Sequence, residues 1–256
     1  ASQNRHALCM CIEKGLGVEV SERVQYIRTI MDELQRIDSH LLFFACLCMD
    51  MGALTAFFYG FRDREKVLDI LEQTTGGRLI QTYNTIGGVQ ADIHPDFVRR
   101  VKEFIAYMRP TLREYHEVFT GNVIARERLK GTGVLTREDA ISFGATGGTG
   151  RASGWACDVR KRHPYAMYGK VDFEEVLYDE GDCFARYMVR MREIEQSMDI
   201  IEQLIDNIPE GEYQLKMKPV IRIPEGSYYA EAVRWALSED ITTGTTENTF
   251  SPDSEC

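Results

Sequence analysis

One carboxylate stands inside the most apolar stretch of the chain. Asp50 is the only charged residue in residues 41–61, which read LLFFACLCMDMGALTAFFYGF. A carboxylate in apolar surroundings resists ionisation unless a cation or hydrogen-bond donors face it, and acids perturbed in this way concentrate at functional sites. The alternative is structural, an acid that caps a helix or bridges two helices. We therefore take Asp50 as the candidate catalytic residue.

The same stretch is long enough for a membrane span, which needs roughly 20 apolar residues. However, a lone carboxylate at the middle of a bilayer costs at least about 2.5 kcal/mol. The flanks, His40 and residues 62–66, show neither an aromatic belt nor a one-sided basic excess. We therefore predict a fully buried region of a soluble protein, helical on both sides of Gly52, and no transmembrane span.

Helical periodicity predicts the elements that position this region. Ser21 is expected to cap a helix that runs into the apolar stretch, with its charged residues on a polar face until His40 and all-round burial beyond. An amphipathic helix follows residue 61 and ends at Gly76. The clearest helix contains residues 183–208 and stops at Pro209. The class predicted from these patterns is mainly α.

Shorter segments complete the fold prediction. A helix opens at residues 95–96 and restarts after Pro110, and Thr136 begins a short helix. Residues 78–89 are predicted to be an irregular or short-strand link, and one strand is expected around residues 171–173. The glycine-rich residues 144–154 lack the pattern of a phosphate-binding loop and predict a close-packed turn, in which Arg151 is a candidate for burial and pairing.

We expect residues 1–237 to form one helical core domain. Residues 238–256 are polar and without a period, so we expect a tail that is disordered or bound to a partner.

Composition excludes several functions. The net charge of −10 argues against binding nucleic acid and against docking on anionic lipid by charge. Seven cysteines, without a C-x-x-C pair, predict reduced thiols and no metal bound by this chain. The five histidines are scattered, and His40 lies about three helical turns before Asp50, too far for a direct pair. We expect His40, like Arg151, to be a structural residue that is buried and paired. No complete active site is visible in this chain alone.

Several long strings nevertheless occur in a specific order. They are ELQRIDSHLLFF, DMGALTAFFYGFRDREKVLDILEQTTGGR, IGGVQADI, TGRASGWACDVRKRHPYAMY and GDCFARYMVRMREIEQSMDIIEQ. Together they closely resemble the quinone-site core subunit of respiratory complex I, which is similar to the large subunit of nickel-iron hydrogenases. The resemblance runs from about residue 7 to residue 211, and is weaker to about residue 240.

The resemblance implies a helical bundle packed against a neighbouring subunit that holds a 4Fe–4S cluster, with ubiquinone reduced in the cleft between the two subunits. Asp50 falls at the family's aspartate that pairs with a quinone-binding histidine. Cys46 and Phe58 fall at positions that line the quinone cleft. The implied place is the matrix side of the mitochondrial inner membrane or the cytoplasmic face of a bacterial membrane, and a divided subunit favours the mitochondrion.

Departures from the family pattern are equally specific. The quinone-binding tyrosine would precede residue 1, and the histidine-bearing β-region is missing, so we expect a split subunit completed by another chain. Two positions that face the cluster in the family are Ile80, in place of a histidine, and Thr85, in place of an arginine. Their loss predicts a cluster potential with weaker pH dependence.

Three hypotheses follow. The chain is a working part of the quinone-reduction site, with the iron–sulfur subunit, a membrane-arm subunit and the completing chain as partners. Alternatively, it is a scaffold without a role in the chemistry. A hydrogenase-like enzyme is disfavoured because the metal-binding cysteine pairs are absent.

Overall fold

One long helix organises the structure, a computed structural model that describes residues 2–216 and two further strands, Ile221–Arg222 and Thr249–Phe250. The elements in chain order are α1 (Ser2–Leu16), α2 (Glu22–Asp50), α3 (Leu54–Thr75), β1 (Asn84–Thr85), β2 (Gly88–Val89), α4 (Phe97–Tyr115), a π-helical turn (His116–Thr120), α5 (Val123–Leu129), α6 (Arg137–Ser142), α7 (Gly147–Ala152), α8 (Val159–Arg162), α9 (Cys183–Ile205), β3 (Ile221–Arg222) and β4 (Thr249–Phe250). The prediction of a mainly α class is confirmed.

The ends of α2 and α3 follow local sequence signals. The Ser21 hydroxyl accepts a hydrogen bond from the Val24 N–H and caps the start of α2. Gly52, at φ 82°, permits the sharp turn into α3, and Gly76, at φ 75°, ends α3 in the left-handed conformation. All three predictions are confirmed, because capping and turning depend on a few adjacent residues.

The core forms where α3 and α9 pack on α2 and α4 packs on both α3 and α9. Phe44 stacks on Tyr115 with ring centroids 4.2 Å apart, in the centre of the bundle. Gly60 lets α3 approach α2 closely, because a Cβ at this position would lie 2.8 Å from the Ala45 Cβ.

A two-stranded hairpin packs against the first turns of α2. β1 and β2 are antiparallel, with Asn84 opposite Val89 and Thr85 opposite Gly88. The segment around Gln214 adds to this hairpin, since the Val89 N–H donates to the Tyr213 carbonyl at 2.9 Å. The short-strand link predicted for this region is confirmed.

Three local predictions were wrong. The helix does not restart at Pro110, which lies inside the continuous helix α4, where the buried side chains on both sides of it hold the helix to the core. The glycine-rich residues 144–154 contain a helical segment, α7, rather than only a turn. Residues 171–173 form no strand, because α9 side chains bind this backbone instead: Gln203 accepts from the Asp172 N–H at 2.8 Å.

The tail prediction lies mostly outside the described residues. Within them, β3 pairs with β4 in antiparallel register, Ile221 opposite Phe250. None of the helices that the structure describes combines the length and the hydropathy that crossing a membrane requires.

Candidate functional site at the end of helix α2

Asp50 is the last residue of α2, and its side chain is exposed in this chain. The prediction that it lies in a fully buried region was therefore wrong. The apolar stretch packs one face into the core through Phe44 and Cys48, but no part of the described chain covers its outer face, where Leu42 is 36% and Met49 is 45% exposed.

A stripe of side chains along this outer face contains two of the predicted site residues, Cys46 and Asp50. Leu42, Cys46 and Asp50 follow one another at intervals of four residues, so they lie on the same side of α2. Across the turn, Leu54 and Phe58 have the same spacing at the start of α3 and are 54% and 59% exposed. Cys46 is half-buried. We call Leu42, Met49, Leu54 and Phe58 the α2–α3 apolar surface; Asp50 is its charged residue.

No histidine of this chain forms a hydrogen bond or an ion pair with Asp50, although all five lie within residues 2–216. His6 contacts Asp32 at 2.6 Å, and His40 contacts Glu193 at 2.7 Å. His94 accepts from the Asp96 N–H, and His116 contacts Thr120. His163 lies at the end of the short helix α8. An imidazole partner for Asp50 would therefore have to come from outside these residues.

The two positions predicted to face an iron–sulfur cluster lie far from Asp50. Thr85 is in β1, where its carbonyl accepts from Arg28 Nη2 at 2.8 Å, and Arg28 belongs to the first turns of α2. Residues 28 and 50 are separated by about 33 Å of helix, at ~1.5 Å per residue. Ile80 is 79% exposed in the link after α3. The structure thus places Cys46 and Asp50 on one side of α2 and Phe58 in the first turns of α3, and leaves Ile80 and Thr85 at the opposite end of α2.

Arg151 and His40, the residues expected to be buried and paired, bind the same carboxylate. Arg151 Nε donates to Glu193 Oε1 at 2.8 Å, and His40 Nε2 lies 2.7 Å from Glu193 Oε2. Burial by itself raises the pKa of Glu193, but the hydrogen bond from His40 and the charges of Arg151 and Arg36 outweigh it and lower the pKa. Burial also lowers the pKa of His40, and this effect outweighs the hydrogen bond and the negative charge of Glu193, which raise it.

The buried charges of α2 were not predicted from the sequence. We assigned its charged residues to a polar face, but Arg28, Asp32, Glu33 and Asp38 are all buried. Their partners come from α1, α3, α8, α9 and the loops, and are far away in the sequence. The signal available was only the number of arginines and tyrosines in residues 151–168, which supply several of these partners.

Metal ligands are not grouped in the described part of the chain. Within it, no three histidine, cysteine or acidic side chains are arranged so that they could hold a metal ion. The chemistry available at the end of α2 is therefore that of one carboxylate and one thiol on an apolar surface.

Comparison with known proteins places this geometry in a family. The family model of the respiratory-chain NADH dehydrogenase 49-kDa subunit matches residues 50–249. The chain is 86% identical to the C/D-type NADH-quinone oxidoreductase protein of Phocaeicola vulgatus over 230 residues, which are 90% of this chain and 44% of that protein. It is 42% identical to the D-type NADH-quinone oxidoreductase protein of Desulfotalea psychrophila over 248 residues, 96% of this chain and 67% of that protein.

A solved structure has the same fold. A chain from the membrane-bound sulfane sulfur reductase, an archaeal respiratory membrane complex, superposes with a TM-score of 0.80 at 38% identity, covering 84% of this chain and 60% of that one. The chain spans less than half the length of the C/D-type relative.

Proposed function

The chain belongs to the family of the 49-kDa subunit of respiratory-chain NADH dehydrogenase, and on this premise we propose that it is a subunit of a proton-pumping NADH:ubiquinone oxidoreductase. In this proposal the α2–α3 apolar surface forms one wall of the quinone-reduction cleft. Asp50 acts there as the charged group of the site, with Cys46 and Phe58 beside it.

One observation carries the proposal: a single exposed carboxylate, Asp50, stands at a helix end where the exposed large side chains of α2 and of the start of α3 are apolar. A quinone headgroup is a flat apolar ring with two carbonyl acceptors. Ligand sites for such molecules combine mostly apolar walls with a few polar groups that fix orientation. The exposed side chains of Leu54 and Phe58 supply the apolar contact, and the end of α2 supplies the polar group.

The role proposed for Asp50 is to hold an imidazole from outside these 256 residues. Asp50 stands at the negative end of the α2 dipole, where a carboxylate is unfavourable unless a cation faces it. A histidine paired with it would stay protonated and could donate its proton to a carbonyl oxygen of the quinone. Electrons would come from a 4Fe–4S cluster held by a neighbouring subunit.

Partners and place follow from the same proposal. The opposite end of α2, with exposed Ile80 and with Thr85, would face the iron–sulfur subunit. Because neither residue titrates, we propose that the cluster potential has weak pH dependence, which a redox titration at several pH values would test. A membrane-arm subunit and a segment outside these 256 residues that carries the histidine complete the site. We place the assembly at the cytoplasmic face of a bacterial membrane, rather than in a mitochondrion, because the relatives are bacterial.

Replacing Asp50 tests the proposal. Asp50→Asn keeps the size of the side chain but removes its charge, so quinone reduction by the assembled complex should fall several-fold while NADH oxidation by an artificial upstream acceptor is unchanged. Glu138→Gln, an exposed acid on α6, serves as the control. Unchanged turnover in Asp50→Asn would instead support the second hypothesis, a scaffold without a role in the chemistry.

A further inference from the structure

A cation from another helix reaches the residue that follows Asp50. Arg128 Nη1, on α5, donates to the Met51 carbonyl at 3.3 Å, across 77 positions of sequence. Met51 is the C-cap residue of α2. Arg128 therefore contacts the backbone next to the proposed catalytic carboxylate, although nothing in the local sequence pattern connects the two.

This contact completes the end of the helix. The turn itself satisfies three of the last carbonyl groups: Leu47 accepts from the Met51 N–H, Cys48 from Ala53 and Met49 from Gly52, at 3.0, 2.8 and 2.9 Å. The Met51 carbonyl accepts from Arg128 instead. Partial negative charge gathers at these carbonyls, and α2 is 29 residues long. A guanidinium, which stays protonated at all relevant pH values, is well suited to bind there.

Helix α5, which carries Arg128, is fixed both at its start and along its buried face. The Asn122 side chain caps its start by accepting from the Ile124 and Ala125 N–H groups. Ala125 and Leu129 are buried in the core, so α5 is anchored by two adjacent positions of one face. Arg128 itself is exposed, as Asp50 is.

We propose that Arg128 is a positioning residue for quinone reduction. It fixes the turn between α2 and α3 through the Met51 carbonyl, and so it places a permanent positive charge at the residue that follows Asp50. This charge offsets the repulsion between the Asp50 carboxylate and the negative end of α2, so that Asp50 is held ready for its imidazole partner. The inference rests on the proposed function of Asp50.

Two substitutions separate charge from hydrogen bonding. Arg128→Gln keeps an N–H donor for the Met51 carbonyl but removes the charge, whereas Arg128→Lys keeps both. In the assembled membrane complex, we expect Arg128→Gln to lower kcat for quinone reduction about threefold with little change in KM, the size typical of a partly screened charge effect at a helix end. Arg128→Lys should restore most of the activity.

The matched control is Arg126→Gln, on the same helix. Arg126 is exposed, and its side chain makes no hydrogen bond or ion pair to the residues that the structure describes. Equal losses in Arg126→Gln and Arg128→Gln, or equal activity of Arg128→Gln and Arg128→Lys, would overturn the inference.

A double variant ties the effect to Asp50. If Arg128 acts through that carboxylate, Arg128→Gln should cause no further loss in an Asp50→Asn background, whereas independent effects would multiply. If Asp50→Asn loses activity and Arg128→Gln does not, the inference on Arg128 is wrong, but the proposed function is not contradicted. No loss in Asp50→Asn would sink the proposed function itself.

Discussion

Four side chains from three parts of the chain bind the buried carboxylate of Glu33. Arg36 Nε and Arg160 Nη1 lie 3.1 Å from it, while the Tyr168 and Ser197 hydroxyls donate at 2.6 Å. Burial by itself raises the pKa of Glu33, but the two arginines and the two hydroxyls outweigh it and lower the pKa to about 2. The network joins α2 to α8 and α9, and removing one member of a buried pair is costly.

This pKa predicts a definite pH dependence of stability. An acid whose pKa is lower in the folded than in the unfolded chain stabilises the fold above its unfolded pKa and loses that contribution as pH falls. As the pH falls from about 4.5 to about 2, the loss of the Glu33 contribution should therefore lower the free energy of unfolding by on the order of 3 kcal/mol. Denaturant titrations across this pH range should show that the free energy of unfolding falls less steeply with decreasing pH in Glu33→Gln than in the unsubstituted chain.

The control for that measurement is Glu195→Gln, a half-buried acid on α9. In this variant the free energy of unfolding should depend on pH as steeply as in the unsubstituted chain. A slope in Glu33→Gln equal to that of the unsubstituted chain would mean that other acids, such as Glu193, account for acid unfolding.

At the scale of elements, the approach of α3 to α2 depends on one small residue. A Cβ at Gly60 would lie 2.8 Å from the Ala45 Cβ and 3.1 Å from a ring carbon of Phe44. Neither neighbour can move away easily, because Ala45 has no rotatable bond and Phe44 is held in its stack with Tyr115. The contact fixes the relative position of the two helices whose joined ends form the candidate site.

Gly60→Ala should consequently destabilise the chain by about 1–3 kcal/mol, as overpacking does, despite the better helix propensity of alanine. The double variant Ala45→Gly/Gly60→Ala moves the methyl group to the facing helix and should recover part of the loss. Thermal unfolding of the single and double variants measures both effects. A single variant as stable as the original chain would show that the helices separate without cost.

At the scale of the whole molecule, the two ends of α2 present different surfaces. One end carries Asp50 within the α2–α3 apolar surface, and the other carries the β1–β2 hairpin and the exposed Ile80. Between them, buried ion pairs such as Arg28–Glu13 and Arg151–Glu193 fix the bundle. The architecture suits a rigid body that meets different partners at its two ends, as the proposed assembly requires.

If the α2–α3 apolar surface lines the quinone cleft, an exposed phenylalanine in it should contribute to substrate binding. Phe58→Gln should raise KM for quinone about threefold to tenfold in the assembled complex, because it removes apolar contact worth roughly 1 kcal/mol. Phe143→Gln replaces a comparably exposed phenylalanine outside this surface and should leave KM unchanged. Equal KM values in the two variants would argue that Phe58 faces a protein partner instead.

Local features of this protein could be predicted from the sequence. The cap at Ser21, the stops at Gly52 and Gly76 and the short helix begun by Thr136 follow from side chains within a few residues of each backbone group. The order of long strings likewise predicted the family, and the comparisons confirm it. Asp50 was recognised because a single charge in an apolar run is visible without any structure.

Burial, in contrast, was decided by the tertiary structure. Periodicity shows which residues share a face of α2, but whether a face is covered depends on elements that arrive from distant parts of the chain. Arg160, Tyr168 and Ser197 converge on Glu33 and bury a face that looked solvated. At the other end no described element covers Asp50, so one face of the stretch that looked fully buried is exposed. Arg128 reaches the Met51 carbonyl beside Asp50 from 77 positions away in the sequence.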